Sequence, residues 1–397
     1  MSKRTLAALD ASRLDGQRVV VRVDLNVPLA DGAVADDTRI RASLPTIRFL
    51  REKGARVVLL SHLGRPKGGP DPKYSLKPVA RALEALLGIP VTFLADPTSD
   101  DAVAQVRHLP RGGVALAENT RFYPGEEQND AALADRFAAL GDLFVNDAFG
   151  SAHRAHSSTE AIAHRLKPAV SGFLMEKELQ FLGDAVNHPV RPFVAILGGS
   201  KISGKIDLIE ALLPKVDRIL VGGAMACTFF KAMGLETGTS LVEADRVELA
   251  AALLAKAGDK LVLPVGGRIA EKLEAGAAYR DVPREQIPAG WAMFDICPES
   301  VALFASHIQG ARTVIWNGPM GVFETPPFDA GTMGVAHALA AATDAGAITV
   351  VGGGDSAAAI AVAGLERRVT HVSTGGGASL EFLEGKTLPG VAALDDA

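Results

Sequence analysis

An apolar run in the C-terminal half, Val350-Val351, breaks into Gly352-Gly353-Gly354 and closes on Asp355-Ser356. Four more runs in that half end in turns of small residues. They are Leu197-Gly198-Gly199-Ser200-Lys201, Val221-Gly222-Gly223-Ala224, Trp316-Asn317-Gly318-Pro319 and Ser373-Thr374-Gly375-Gly376-Gly377. Glycine lets a backbone approach a ligand closely, and a helix that follows offers free N–H groups to an anion. One such turn has a purely steric explanation. Five of them beside Lys201, Lys205 and Asp355 predict a nucleotide site.

The N-terminal half ends its strand-like runs differently. Val19–Val23 leads into Asp24 and Asn26, Val57–Leu60 into His62 and Arg65, Val114–Ala117 into Arg121, and Leu143–Val145 into Gly150-Ser151-Ala152-His153-Arg154. Parallel α/β sheets bind ligands outside the carboxyl ends of their strands, so these side chains should share one mouth. Arginine forks grip phosphate and carboxylate in bidentate fashion. The mouth therefore suits a small molecule with several negative charges.

The elements that must position these groups are βαβ units. Apolar runs alternate with helix-like stretches such as Ala131–Leu140 and Ile206–Leu213, which predicts an α/β chain with parallel sheets. At 397 residues, two domains are expected. Gly172–Val186 carries Leu174, Met175, Leu179 and Leu182 at helical spacing, and Asn187-His188-Pro189 then breaks the pattern before Phe193–Leu197. The division is accordingly 1–171, a linking helix within 172–190, and 191–384, with the two mouths expected across a cleft. Ala378–Leu383 reads as a helix followed by an irregular end.

A formal charge of −5 argues against a broad nucleic-acid surface, and no apolar run reaches the length of a membrane span. Two cysteines, Cys227 and Cys297, are too few for a disulfide framework. The opening Met1-Ser2-Lys3-Arg4-Thr5-Leu6 lacks the apolar stretch of a secretory signal, so a cytoplasmic enzyme is expected.

Each motif also has a plainer explanation. Asp24 and Asn26 share a strand face with Arg22, as solvated residues on an amphipathic strand would. Arg121 could pair with Glu118. His153 and His156 invite a metal, but without a nearby carboxylate or cysteine they make a poor site. An anion pocket accounts better for the arginine between them. Gly199-Ser200-Lys201-Ile202-Ser203-Gly204-Lys205-Ile206 matches a P-loop except that Ile206 replaces the hydroxyl that holds Mg²⁺. It reads as a different phosphate turn, because lysines at a helix start oppose the dipole unless an anion is present. Asp355 alone is equally an N-cap; among lysines and glycine turns it is the natural Mg²⁺ ligand of a nucleotide. Glu324 fits a ribose acceptor or a surface acid.

Taken together, the chain resembles the phosphoglycerate kinase family from about Val19 to its C-terminus. The resemblance rests on Arg22-Val23-Asp24-Leu25-Asn26-Val27-Pro28, Ser61-His62-Leu63-Gly64-Arg65-Pro66, Ala152-His153-Arg154-Ala155-His156-Ser157, Trp316-Asn317-Gly318-Pro319, Gly352-Gly353-Gly354-Asp355 and Ser373-Thr374-Gly375-Gly376-Gly377-Ala378, in the family's order. It implies a monomer of two Rossmann-like domains, with the tail 385–397 returning to the first. It implies phosphoryl transfer between 1,3-bisphosphoglycerate and ADP, giving 3-phosphoglycerate and ATP, with Mg²⁺. By matching segment, Asp24, Leu25, Asn26, Arg39, His62, Leu63, Gly64, Arg65, Arg121 and Arg154 would hold the phosphoglycerate. Lys201, Lys205, Asn317, Glu324, Gly353, Gly354, Asp355 and Ser356 would hold the nucleotide, with Asp355 on the metal. Arg39, Lys201, Gly376 and Gly377 would act on the transferring group. Three positions depart from the family's usual pattern: Ser356 for threonine, Cys297 for glycine and Gly266 for aspartate.

Two rival functions make different demands. A P-loop ATPase needs the hydroxyl that Ile206 lacks, and a closing anion-binding protein has no use for Gly353-Gly354-Asp355. Neither class calls for both mouths at once.

Overall fold

The computed structural model describes residues 3–67 and 69–397, and every count below refers to them. The chain forms two compact units. One runs to Gln180 and takes in Thr387–Ala397, and the other is Phe181–Lys386. The boundary falls inside a single helix, Phe173–Asn187.

The first unit contains β1 (Arg18–Val23), the hairpin β2 (Leu29–Ala30) and β3 (Ala33–Val34), then β4 (Arg56–Leu60), β5 (Val91–Leu94), β6 (Val114–Ala117), β7 (Leu143–Asp147) and β8 (Ala169–Ser171). Six of these form a parallel sheet in the order β5-β6-β4-β1-β7-β8. Alternate residues feed two cores. Val19, Val21, Val57, Leu59, Val114, Leu116 and Val145 enter one; Val20, Val58, Leu60, Ala115, Ala117 and Phe144 enter the other. Burial on both faces explains why these strands read as continuous apolar runs. Each buried valine or leucine contributes about 1.5–3 kcal/mol.

The second unit holds β9 (Phe193–Leu197), β10 (Arg218–Val221), β11 (Leu261–Val262), β12 (Gly266–Ala270), β13 (Arg280–Pro283), β14 (Ala292–Ile296), β15 (Thr313–Asn317), β16 (Ile348–Gly352) and β17 (His371–Val372). Its parallel sheet has the order β11-β10-β9-β15-β16-β17. A three-stranded antiparallel sheet, β13-β12-β14, was absent from the sequence-based expectation.

Two boundaries differ from expectation. The long helix begins at Phe173, because Asp147 at the end of β7 accepts the N–H groups of Leu174 (2.8 Å) and Met175 (3.1 Å). Gly172 is pressed against that carboxylate, where a Cβ would stand 2.3 Å from Oδ1. The chain end is not irregular. Pro389–Ala392 is a short helix, Gly390 accepts a hydrogen bond from Asn146 Nδ2 (2.9 Å), and Lys3 pairs with Asp396 (2.8 Å).

Candidate active site

The strand order switches direction between β1 and β7 in the first unit, whose edge pair β5-β6 is also inverted, and between β9 and β15 in the second. Crevices at such switch points are where α/β sheets bind ligands. Most residues singled out from the sequence follow the carboxyl ends of the parallel strands, while Arg39 stands in the first turn of the helix Thr38–Glu52.

In the first unit β1 stops at Val23, so Asp24 and Asn26 lie in the turn beyond it, and Asp24 is buried rather than solvated. Asp24 Oδ2 pairs with Arg39 Nη1 at 2.6 Å, which ties that turn to the start of the helix Thr38–Glu52. Asn26 Oδ1 accepts the N–H of Gly64 (2.8 Å), and Leu25 donates its N–H to Ser61 Oγ (2.9 Å). Asn119 Nδ2 donates to Leu63 O (2.8 Å). Gly64 has φ +62°, and a Cβ there would meet the Tyr74 ring at 2.4 Å, so the turn requires glycine. Asn26 and Gly64 thus bind each other, while Asp24, Leu25 and Leu63 are tied to Arg39, Ser61 and Asn119, and together these bonds fix the loop.

The cations stand around that loop. Arg121 donates to Gly64 O at 2.7 Å and lies 3.2 Å from Glu127, not beside Glu118. Glu118 instead accepts from Ser75 Oγ (2.7 Å) and Leu76 N (2.8 Å). Arg154 Nε donates to His153 Nε2 at 3.2 Å. Arg65 is exposed and has no hydrogen bond or ion pair among the described residues. The crowding is legible in the imidazoles. Burial first, then Arg22, Arg121, His156 and Arg39, hold His62 well below the usual histidine range. Burial, Arg22, Arg121 and Arg154 bring His156 down to about 3. A pocket that discharges its own histidines carries positive potential in search of an anion.

Arg22 is the residue the sequence reasoning misplaced. It does not sit on a solvated strand face; it is fully buried, with Ser158 and Glu126 around it. The available signal was a charge inside Val19-Val20-Val21-Arg22-Val23, a run otherwise fit for burial on both faces.

In the second unit a cavity of about 350 Å³ opens at the switch point. Lys201, Lys205, Asn317, Gly353, Gly354, Asp355, Ser356, Gly376 and Gly377 all line it. Gly198 also lines it and marks a close backbone approach, since a Cβ there would lie 2.1 Å from Pro319 O. Lys205 donates to Asn317 Oδ1, and Asn317 Nδ2 donates to Gly352 O at 2.9 Å. Burial lowers Lys205 to about 8, against the pull of Asp355 and Glu384. Ser356 is buried, and its Oγ accepts the N–H of Gly318 (2.6 Å), joining the turns after β15 and β16.

Asp355 is not the N-cap. That position belongs to Gly353, at φ 91°, and Asp355 lies in the first turn of Gly354–Val362. Its carboxylate is exposed and makes no hydrogen bond or ion pair among the described residues. Nor is the lysine turn a P-loop. Its Gly-Lys pair precedes the helix, which starts only at Ile206, and Lys205 occupies the N-cap. Glu324 is exposed and is not among the cavity's lining residues. Gly266 and Cys297 also stand outside that lining, and they touch each other. A Cβ on Gly266 would lie 2.9 Å from Cys297 Sγ.

The fold is that of a two-unit α/β protein, each unit built on a six-stranded parallel sheet with candidate site residues beyond its strand ends. Comparison with known proteins narrows the class. The profile of the Phosphoglycerate kinase family matches residues 9–386. A phosphoglycerate kinase of Rubrobacter xylanophilus is 56% identical over 396 residues, covering 100% of this chain and 99% of the relative. That of Chloroflexus aurantiacus is 57% identical over 403 residues, covering 100% of both. The solved phosphoglycerate kinase of Coxiella burnetii superposes with a TM-score of 0.89 at 41% identity, covering 98% of each chain. The chain belongs to the phosphoglycerate kinase family.

Proposed function

We propose that the protein transfers a phosphoryl group reversibly from 1,3-bisphosphoglycerate to ADP, giving 3-phosphoglycerate and ATP. The observation that carries this reading is the pairing of two unlike anion sites in a chain of this family. One is a crowd of guanidinium and discharged imidazole groups; the other is a glycine-lined cavity with two lysines and one unpaired acid. The first unit takes the phosphoglycerate, through Arg39, His62, Arg65, Arg121 and Arg154 on a loop shaped by Asp24, Leu25, Asn26, Leu63 and Gly64. The second takes the nucleotide, through Lys201, Lys205, Asn317, Gly353, Gly354 and Ser356, with Glu324 offered as an acceptor for the ribose.

A β-phosphate oxygen of ADP forms the new bond to phosphorus while the bond to the C1 carboxylate oxygen breaks. The attacking oxygen is already ionised and the other leaves as a carboxylate, so neither a general base nor a general acid is needed. What remains is alignment and positive charge around the transferring oxygens. Arg39 and Lys201 supply charge, and Gly376 and Gly377 supply backbone donors. Asp355 suits Mg²⁺ that arrives on the nucleotide, because its carboxylate is exposed, unpaired and on the cavity wall. The ion would offset charge on the phosphate oxygens. No helix among the described residues is long and apolar enough to cross a membrane. The same reading makes the protein a cytoplasmic monomer, which light scattering on purified protein tests.

A coupled assay decides the activity. Protein with Mg²⁺-ATP should phosphorylate 3-phosphoglycerate and release almost no phosphate in its absence. Brisk ATP hydrolysis without the acid would overturn the proposal.

A further inference from the structure

Arg22 lies fully buried in β1, and a guanidinium there must find an acceptor for each donor it turns inward. Nε donates to Ser158 Oγ at 2.9 Å, and Nη1 donates to Val23 O. Nη2 lies 3.1 Å from His62 Nδ1. Ser158 is held in turn by Glu126, which is also fully buried. Its Oγ donates to Oε1 at 2.5 Å and its N–H to Oε2 at 3.0 Å. Glu126 thereby answers the buried charge of Arg22 through one hydroxyl, as a desolvated cation requires.

Arginine has donors only, so the 3.1 Å contact is a hydrogen bond only if His62 Nδ1 accepts. The ring proton is then on Nε2. His62 keeps 7% exposure, and Nε2 has no hydrogen bond among the described residues. We propose that Arg22, held by Ser158 and Glu126, is a positioning residue that locks His62 as a neutral Nε2–H donor for the phosphoglycerate. Only the identity of that anion rests on the function proposed above.

Burial first, then Arg22 from β1, Arg121 from the turn after β6 and Arg39 from the helix Thr38–Glu52 oppose a second proton on His62, and His156 from the segment after β7, itself discharged, would oppose it too if charged. The acids nearby, Glu126 and Asp24, act on Arg22. A neutral donor gives the pocket direction without a proton that binding would have to take up or release.

Nitrogen-15 NMR of the ligand-free protein labelled at histidine reads the tautomer directly. His62 should show an unprotonated Nδ1 and a protonated Nε2 throughout about pH 5–8, where a free histidine would titrate. A protonated Nδ1, or an imidazolium at pH 6, would overturn the proposal. In Arg22→Met the two tautomers should mix, and KM for 3-phosphoglycerate should rise roughly tenfold, the worth of one misdirected hydrogen bond to a charged ligand. The KM for ATP should stay within about twofold. A His62 still fixed as Nε2–H in Arg22→Met would refute the role, and Ser158→Ala tests the same chain should Arg22→Met not fold. A locked His62 in a protein that ignores 3-phosphoglycerate would leave this inference standing and remove the substrate.

Discussion

Asp355→Asn separates a metal ligand from a structural acid. The carboxylate lies in the first turn of Gly354–Val362, exposed, with no hydrogen bond or ion pair among the described residues, and Gly353 occupies the cap. Its contribution to folding is therefore its attraction to the helix N-terminus, about 0.3–1 kcal/mol at an exposed site. For a folding unit of this size, that is a Tm change of no more than about 4 °C. Catalysis should respond on another scale, because preorganised charge at a transferring group is worth about 10²–10³ in rate. A second effect sets the assay pH. Asp355 raises the Lys205 ammonium against its burial, so the substitution should drop Lys205 further below about 8. Rates are therefore best compared over a series of pH values below about 8, which separates a lost charge on Lys205 from a lost metal ligand. The coupled assay with Mg²⁺ varied should show kcat down about 10²-fold or more, partly recovered at high Mg²⁺, with thermal melting nearly unchanged. Normal turnover at ordinary Mg²⁺ would refute the metal role. A large loss of Tm would show that Asp355 holds the fold in a way its contacts do not reveal.

Arg65→Ala and Arg154→Ala each remove a cation from the first unit's pocket. KM for 3-phosphoglycerate should rise about tenfold or more while KM for ATP holds, and a change confined to the nucleotide would contradict the assignment. Gly198→Ala places a Cβ 2.1 Å from Pro319 O and 2.6 Å from Gly318 O, so backbone must move. Such crowding costs about 1–3 kcal/mol, and calorimetry should find Tm lowered by about 2–10 °C. Burial pushes Asp295 up to about 8 although it accepts N–H groups from Gly331 and Ile296. A folded pKa raised above the unfolded value gives stability that is complete below about pH 4 and lost as pH rises toward 8. Urea unfolding should therefore show wild type falling relative to Asp295→Asn by about 1.4 kcal/mol per pH unit across that window, and parallel curves would exclude it.

The parallel sheets were legible because burial on both faces writes them as apolar runs, and strand ends then follow from where those runs stop. The same logic hid Arg22. Period-two reading grouped it with Asp24 and Asn26 on a wet face, but a sheet covered on both sides has no wet face, and its partners are far away in sequence. Local spacing likewise offered Glu118 as the partner of Arg121, while the fold spends Glu118 on the turn at Ser75 and Leu76. The antiparallel sheet escaped notice because β12 opens on Gly266-Gly267-Arg268 and β13 is largely exposed, so neither has strand-like alternation. Asp355 read equally as a cap or a ligand, and the structure gives the cap to Gly353, with its positive φ.

The two sites differ electrostatically in a way the proposed reaction requires. In the proposed reaction the phosphoglycerate brings no metal of its own, so its full charge would be met by protein. The first unit would do so with guanidinium groups, which stay protonated where the imidazoles among them do not. A nucleotide arrives with part of its charge offset by Mg²⁺. A second crowd of arginines would then over-bind the product and compete with the metal. Glycine backbone donors, two lysines and one carboxylate give a milder field, and the carboxylate is the only one of these that rewards the metal-bearing form. On this account, adding an arginine to the second unit's cavity should slow turnover through nucleotide release even as nucleotide affinity rises. That outcome is the opposite of what removing Arg65 should do in the first unit.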